Sequence, residues 1–384
     1  MKIAMIGQKG IPARSGGIER HVEELSVELA TRGHDVLVFC RSWYVWPIRD
    51  YKGVRCIKTW GITTKHLDAI THTFTSILRA TSEKVDVYHF HGVGPALLSW
   101  LPKILRPSAK VVVTFHCIDR HHQKWGTFAR LMLNLGERMA CLIPDATISV
   151  SKTLETYVRL SYGVDAKYIP NGAQVLMHDA DPKLLKPFGL EPNQYLMMCA
   201  RLVRHKGAHV LIEAWKKLKR EHPELVANKQ LAIVGGSAFT DDYVQELHEL
   251  AKNEPSIVLT GNQTSETLHA LFGNAYAFVH PSESEGLPIA ILEEMSYGKC
   301  VLSSDIPENL ELTKEHGLTF KTGDVKDLVK QMKMMLENPE QVQAVGAEAR
   351  TYIAKTYDWK DIAETTEYLY ELLWLEPELS HQAI

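Results

Sequence analysis

Met1-Lys2-Ile3-Ala4-Met5-Ile6-Gly7-Gln8-Lys9-Gly10-Ile11-Pro12-Ala13-Arg14-Ser15-Gly16-Gly17-Ile18 is the stretch whose reading decides the fold. Lys2–Ile6 is an apolar run of strand length, and the glycine-rich segment after it breaks that run. Ile18, Val22, Leu25 and Leu29 then recur at helical spacing until Gly33 stops them. Strand, glycine loop and amphipathic helix make the first part of a βαβ unit. Outward from it, the same alternation recurs with candidate strands at Asp35–Cys40, Val85–His89, Lys110–Phe115 and Ala146–Val150. A second series follows at Tyr195–Ala200, Gln230–Val234, Ser256–Leu259, Ala275–Val279 and Cys300–Ser303. Strands separated by helical segments point to parallel sheets, so two doubly wound α/β domains are predicted. The breakers Ile169-Pro170-Asn171-Gly172 and the polar Asp179–Lys186 region read as the linker. The boundaries are therefore 1–172, 173–358 and a closing segment 359–384. Its helix, Trp359–Leu375, carries apolar Ile362, Leu369, Leu372 and Leu373 and is expected to pack back on the first domain.

A length of 384 residues agrees with this division, since a domain averages roughly 150 residues. With 45% hydrophobic and 23% charged residues, the composition is that of an ordinary globular protein. No apolar run is long enough to span a bilayer, and the first residues read as a strand rather than a signal peptide; a cytoplasmic protein is expected. The six cysteines at 40, 56, 117, 141, 199 and 300 contain no C-x-x-C pair, which argues for reduced thiols rather than a zinc site or disulfide framework. The net charge of -3 conceals an asymmetry. Residues 1–172 carry 23 Lys+Arg against 14 Asp+Glu, and the remainder 20 against 32. Such a split suggests that one half meets an anionic surface or substrate. The overall negative charge and the lack of an aromatic-basic ladder argue against nucleic acid.

In open α/β sheets, ligands bind beyond the carboxyl ends of the strands, which directs attention to five segments. In Gly7–Gly17 the pair Gly16-Gly17 lets backbone approach a ligand, and the following helix N-terminus favours an anion. The segment is not G-x-G-x-x-G, and Cys40-Arg41 stands where a NAD site would want an acidic residue. Arg201-Leu202-Val203-Arg204-His205-Lys206-Gly207 leaves a strand and precedes the helix Ala208–Lys219, so that Arg201 and Lys206 can neutralise a diphosphate. In Pro281–Met295, Pro288 suits a first helical position and leaves the amides of Ile289 and Ala290 free for a phosphate. Glu285 and Glu293 in that segment can address different parts of one ligand; two carboxylates also suit a glycosidase, but the cationic loop favours a phosphate-bearing ligand. His116 ends the fourth strand. His89, His91 and His121-His122 raise a metal site, but no acidic or Cys ligand at metal spacing accompanies them, and no metal is expected. Arg41–Arg49, with Trp43, Tyr44 and Trp46 between arginines, suits either an interfacial patch or buried loop packing.

Taken in order, a Gly-Gly loop at the first helix, a His after the fourth strand, an Arg-x4-Lys-Gly loop and a Glu-x7-Glu helix start resemble the family 4 retaining glycosyltransferases over nearly the whole chain. The resemblance implies a GT-B architecture, two Rossmann-like domains facing across a deep cleft. Within that family, Ile6–Glu19 and Gln123-Lys124-Trp125-Gly126 are similar to bacterial rhamnosyltransferase-like members that build surface polysaccharides. By resemblance, Arg201 and Lys206 bind the donor diphosphate, Glu293 the nucleotide ribose and Glu285 the donor sugar hydroxyls. The backbone of Leu287, Pro288 and Ile289 lines sugar and phosphate, Gly16 and Gly17 face the diphosphate, and His116 meets the donor sugar or the acceptor. Arg201, Lys206, Glu285 and His116 are thus the catalytic candidates. Pro288 stands where many members have Gly, and Cys117 follows His116 where many have Gly. The implied reaction is metal-independent, retaining transfer of a hexose or deoxyhexose. The donor is a nucleoside-diphosphate sugar, a UDP-sugar first, with dTDP- and GDP-sugars as alternatives, and no cofactor is needed. The expected partners are this donor, a glycan or lipid-linked acceptor and an anionic membrane, at the inner face of which the protein would sit peripherally. A silent sugar-nucleotide-binding protein and a storage-glycan or sucrose-type synthase are the rival readings.

Overall fold

The computed structural model describes residues 1–14, 16–44, 49–64, 67–118, 127–174 and 180–375. Two compact units result: Met1–Asn171 together with the segment from Trp359 onward, and Gly172–Asp358.

The first unit is built on β1 (Lys2–Ile6), β2 (Asp35–Arg41), β3 (Asp50–Tyr51), β4 (Val54–Thr59), β5 (Val87–His91), β6 (Lys110–Phe115), β7 (Ala146–Ser149) and β8 (Lys167–Tyr168). Their order in the sheet is β3-β4-β2-β1-β5-β6-β7-β8, parallel except for the β3–β4 hairpin. Ile3, Ala4, Met5 and Ile6 of β1 are all fully buried. That is what a central strand covered on both faces requires, and why β1 reads as a continuous apolar run rather than an alternating one. The helix Gly17–Thr31 returns the chain to β2, burying Val22, Leu25 and Leu29. The closing helix Trp359–Leu375 packs on it, with Trp359, Ile362, Ala363 and Leu369 joining the same apolar cluster as β1 and β2. Arg32 ties the two helices at their surface through Glu364 and Glu367, each 3.0 Å away.

The second unit repeats the plan with β9 (Tyr195–Cys199), β10 (Gln230–Val234), β11 (Ile257–Gly261), β12 (Ala277–His280), β13 (Val301–Ser304) and β14 (Leu318–Phe320), ordered β11-β10-β9-β12-β13-β14 and wholly parallel. Its core is one cluster gathered around Trp215 of the helix Ala208–Glu221.

Two expectations need correction. Asp181–Lys186 is no linker: Pro182–Phe188 forms a 3-10 helix, with Asp181 accepting from the Lys183 amide at 2.9 Å and Leu185 buried. It docks on the helix Ser265–Asn274, whose Asn274 side chain donates to the Ala180 carbonyl at 3.0 Å. Nor is Asn171 mere punctuation, since its side chain is buried and bonded to His21. The expected linker residue Asp179 lies outside the described residues. All six cysteines are free thiols. Among the described residues, no helix is long and apolar enough to cross a membrane.

Candidate active site

Each sheet changes direction once: chain order runs outward from β1 to β2 and then restarts at β5, and from β9 to β11 and then restarts at β12. The carboxyl ends flanking such a switch point are where open α/β sheets bind ligands. In the second unit those ends belong to β9 and β12, and they release the two segments the sequence singled out.

After β9 the chain makes one 3-10 turn, Arg204–Lys206, closed by Gly207 at φ +76°. Glycine is required there twice over. An L side chain rarely adopts that φ, and an added Cβ would collide with the carbonyl of Pro281. This close approach, with the Glu283 amide donating to the His205 carbonyl at 2.7 Å, knits the two loops together. As a result the Lys206 ammonium lies 2.5 Å from Oε1 and 2.6 Å from Oε2 of Glu285, and Nε2 of His280 lies 2.9 Å from the same Oε1. Glu285 and His280 are buried. Burial alone would raise the Glu285 pKa, but the Lys206 charge and the His280 hydrogen bond outweigh it and hold the carboxyl well below the usual range. Glu285 is therefore anionic and Lys206 neutralised. The sequence reading expected two available cations. In the structure Arg201, half-buried, makes no side-chain ion pair among the described residues, while Lys206 is already paired. Arg204 is engaged by Glu246 and lies over the Tyr243 ring.

The helix after β12 is Ile289–Ser296, and Pro288 caps it in an extended conformation, one place before the position expected. Its first ladder bond runs from the Leu292 amide to the Pro288 carbonyl at 3.3 Å, so the amides of Ile289, Ala290 and Ile291 have no helical acceptor. Side chains of Leu287 and Ile289 are buried, leaving backbone to meet a ligand. Glu293 is half-buried on this helix. Glu294 beside it is fully buried with neither oxygen hydrogen-bonded among the described residues. Burial, then the charges of Glu293 and Glu285, push its pKa well above the ordinary carboxylate value.

In the first unit, Gly16 caps the helix Gly17–Thr31 at φ +102°, and the first ladder bond joins the Arg20 amide to the Gly16 carbonyl at 3.2 Å. The preceding loop is held from within: Glu19 accepts from the Lys9 amide at 3.1 Å, Glu23 from the Ala13 amide at 2.5 Å and the Tyr44 hydroxyl from the Arg14 amide at 2.6 Å. Those amides serve the loop; the helix start at Gly17 and Ile18 is the part left for an anion. Ser15 lies outside the described residues.

His116 follows β6 and is buried, its Nε2 3.2 Å from Nδ1 of His91. The His21 ring stands edge-on at 4.8 Å between centroids, and its Nδ1 lies 2.9 Å from Asn171 Oδ1. Because a carboxamide oxygen only accepts, Nδ1 of His21 carries the proton, leaving Nε2 as a buried lone pair without a partner among the described residues. His89 is fixed at 2.6 Å by both the Tyr370 hydroxyl and Thr114 Oγ1. Burial lowers all four pKa values, that of His21 to about 4 and of His89 to about 3, so the cluster is neutral. One nitrogen from each of His21, His91 and His116 falls within 4.8 Å of the others, and among the described residues this is the group close enough to share a cation.

Sequence reasoning missed three of these residues. His280 ends β12, and the strand-end rule that found His116 would have found it. His21 and Glu294 sit within helices and carry no such signal. The aromatic loop is also partly core: Tyr44 is buried and Arg41 pairs with Asp68 at 2.7 Å, leaving Trp43 exposed. Trp46, Asp119, His121, His122 and Gln123–Gly126 lie outside the described residues.

Residues 15–175 match the family model Glycosyltransferase Family 4, and residues 182–352 match Glycosyl transferases group 1. With two parallel α/β units carrying them, the fold is GT-B. Each half of the chain thus carries a glycosyltransferase domain, and together they make it a family 4-type glycosyltransferase. The GDP-mannose-dependent alpha-(1-6)-phosphatidylinositol monomannoside mannosyltransferase of Mycolicibacterium smegmatis is 25% identical over 91% of this chain and 93% of its own. Among solved structures, sucrose-phosphate synthase from Thermosynechococcus elongatus superposes with a TM-score of 0.80 at 21% identity, covering 97% of this chain and 99% of that one. HepE of Anabaena, solved with UDP and glucose, superposes at 0.78 and 18% identity, covering 97% and 100%.

Proposed function

We propose that this glycosyltransferase moves a hexose or deoxyhexose, with retention, from a nucleoside-diphosphate sugar to a hydroxyl of a glycan or lipid-linked acceptor in bacterial surface-polysaccharide synthesis. One observation carries the reading. Loops leaving both sides of the β9/β12 switch point are knit so that Arg201, Lys206, Glu285 and the free amides of the helix Ile289–Ser296 come from adjacent strand ends. Departure of a nucleoside diphosphate concentrates negative charge on its β-phosphate, and fixed cations and amide dipoles aimed there lower the barrier by several kcal/mol. Arg201 and the amides supply that field. Lys206 joins when the diphosphate competes with Glu285 for its ammonium, which frees a Glu285 oxygen for a sugar hydroxyl. Glu293 holds the ribose, Gly16-Gly17 add a second helix start, and His116, neutral, accepts from or donates to a substrate hydroxyl. The cations serve in place of a metal. UDP as the nucleotide is supported by the UDP-bound HepE structure, and a lipid-linked acceptor by the mannosyltransferase that acts on a phosphatidylinositol mannoside.

Nucleotide release from a panel of UDP-, dTDP- and GDP-sugars, each with and without a chelator, tests this. We expect one donor class to turn over equally well with chelator present. Silence toward the whole panel would refute transfer, and loss on chelation would direct attention to His21, His91 and His116.

A further inference from the structure

The helix Asp68–Ser82 is turned inside out. A surface helix ordinarily buries its apolar stripe and shows polar residues to water. This one buries Asp68, His72, Thr73 and Ser76 beside Ile77 and Ala80, while Leu67 at its cap, Phe74 and Leu78 are 45–46% exposed. Those three positions are spaced seven and four residues apart, so they form one stripe along the helix. The stripe widens on one side. The segment after β4 runs alongside, the Thr75 hydroxyl donating to the Trp60 carbonyl and the Ile62 amide to Thr71 Oγ1 at 2.9 Å, and it sets Trp60, 61% exposed, and Ile62 beside the helix. Trp43, 44% exposed, is held at the helix start by its Nε1, 3.3 Å from Asp68 Oδ1. The surrounding sequence, residues 41–80, contains seven Lys or Arg and two Asp or Glu; Arg41, Arg55 and Arg79 are ion-paired with Asp68, Asp35 and Glu83, and the other cations of the window are Arg49, Lys52, Lys58 and Lys65.

An exposed apolar stripe with two indoles, in a basic surround, matches the interface of an anionic bilayer: the indoles sit at headgroup level, apolar side chains enter the acyl boundary and the cations meet lipid charge. We propose that the helix Asp68–Ser82, with Trp43, Trp60 and Ile62, is the surface by which this protein docks on anionic membrane. The inference gives a location to the membrane-borne acceptor of the function proposed above and rests on it for its purpose, not for its geometry. Isolated exposed apolar residues need no explanation, but a contiguous patch does.

The experiment is flotation with phosphatidylglycerol-rich vesicles and with phosphatidylcholine vesicles, using the full chain and a variant combining Trp60→Ser, Phe74→Ser and Leu78→Ser. All three side chains are exposed, so circular dichroism of the variant should be unchanged. The wild type should float with the phosphatidylglycerol-rich vesicles, less as salt is raised, and the variant should partition more than about tenfold more weakly. Nucleotide release from the donor sugar in vesicle-free solution should be equal in the two, which keeps failure of docking distinct from failure of transfer. Three results would overturn the proposal: no flotation of the wild type, equal flotation of both proteins, or light scattering that shows a wild-type dimer dissociated by the substitutions.

Discussion

Glu294 shows how much one side chain discloses about its surroundings. The pair Glu293-Glu294 looks unremarkable on a helix that could show either to water, yet Glu294 faces inward without a partner among the described residues, while Glu285 nearby is compensated by Lys206 and His280. The two buried carboxyls titrate in opposite directions for that reason. Glu294 binds its proton more tightly folded than unfolded, so its contribution to stability is complete below the ordinary carboxylate range of about 4.3 and is lost as pH rises through its folded pKa. Glu294→Gln keeps the shape and cannot ionise. The variant's melting temperature should therefore gain on the wild type as pH rises from 4 to 8; a difference that is flat with pH would show that Glu294 finds a partner. None of this was legible in sequence. Lys206 and Glu285 were each singled out there, but 79 residues separate them and only the adjacency of β9 and β12 brings them together.

At the scale of elements, legibility followed length and burial. β1, β6 and β10 coincide with their expected bounds because central parallel strands are apolar on both faces. β3 and β8 have two residues each and β14 three, too few to show any period. β4 escaped because its Val-Arg-Cys-Ile-Lys-Thr is mixed and half-exposed next to the sheet edge. Strand ends proved the most informative places, and the histidines there bring a measurable consequence. His21, bracketed between its own helix and the ends of β5 and β6, is neutral when folded with a pKa of about 4. The unfolded chain takes up that proton first, so stability is lost as pH falls from about 6.5 to 4, on the order of 3 kcal/mol for this residue alone. His21→Gln removes the titration. Urea unfolding should show the gap between wild type and variant narrowing across that window; a constant gap would mean that His21 does not titrate there.

Over the whole molecule, the charge asymmetry acquires a structural meaning. Counted by unit, residues 1–171 with 359–384 carry 24 Lys+Arg against 20 Asp+Glu and residues 172–358 carry 19 against 26, so the unit with the outward-facing apolar helix keeps a small basic excess and the unit where Arg201 and Lys206 flank a switch point is acidic. Cations set in an acidic unit mark a local requirement for an anion, which neither the net charge nor either half's sum reveals. The GT-B plan accommodates this because each sheet presents its own strand ends independently. On the proposed function, transfer depends on the field at the β9/β12 ends, and the most direct test is nucleotide release from the preferred donor sugar by Arg201→Ala and Lys206→Ala, each checked by circular dichroism for an intact fold. A loss of about a hundredfold or more in kcat is expected for each, the scale of removing one preorganised charge-stabilising group. Turnover within about twofold of wild type in both would contradict it.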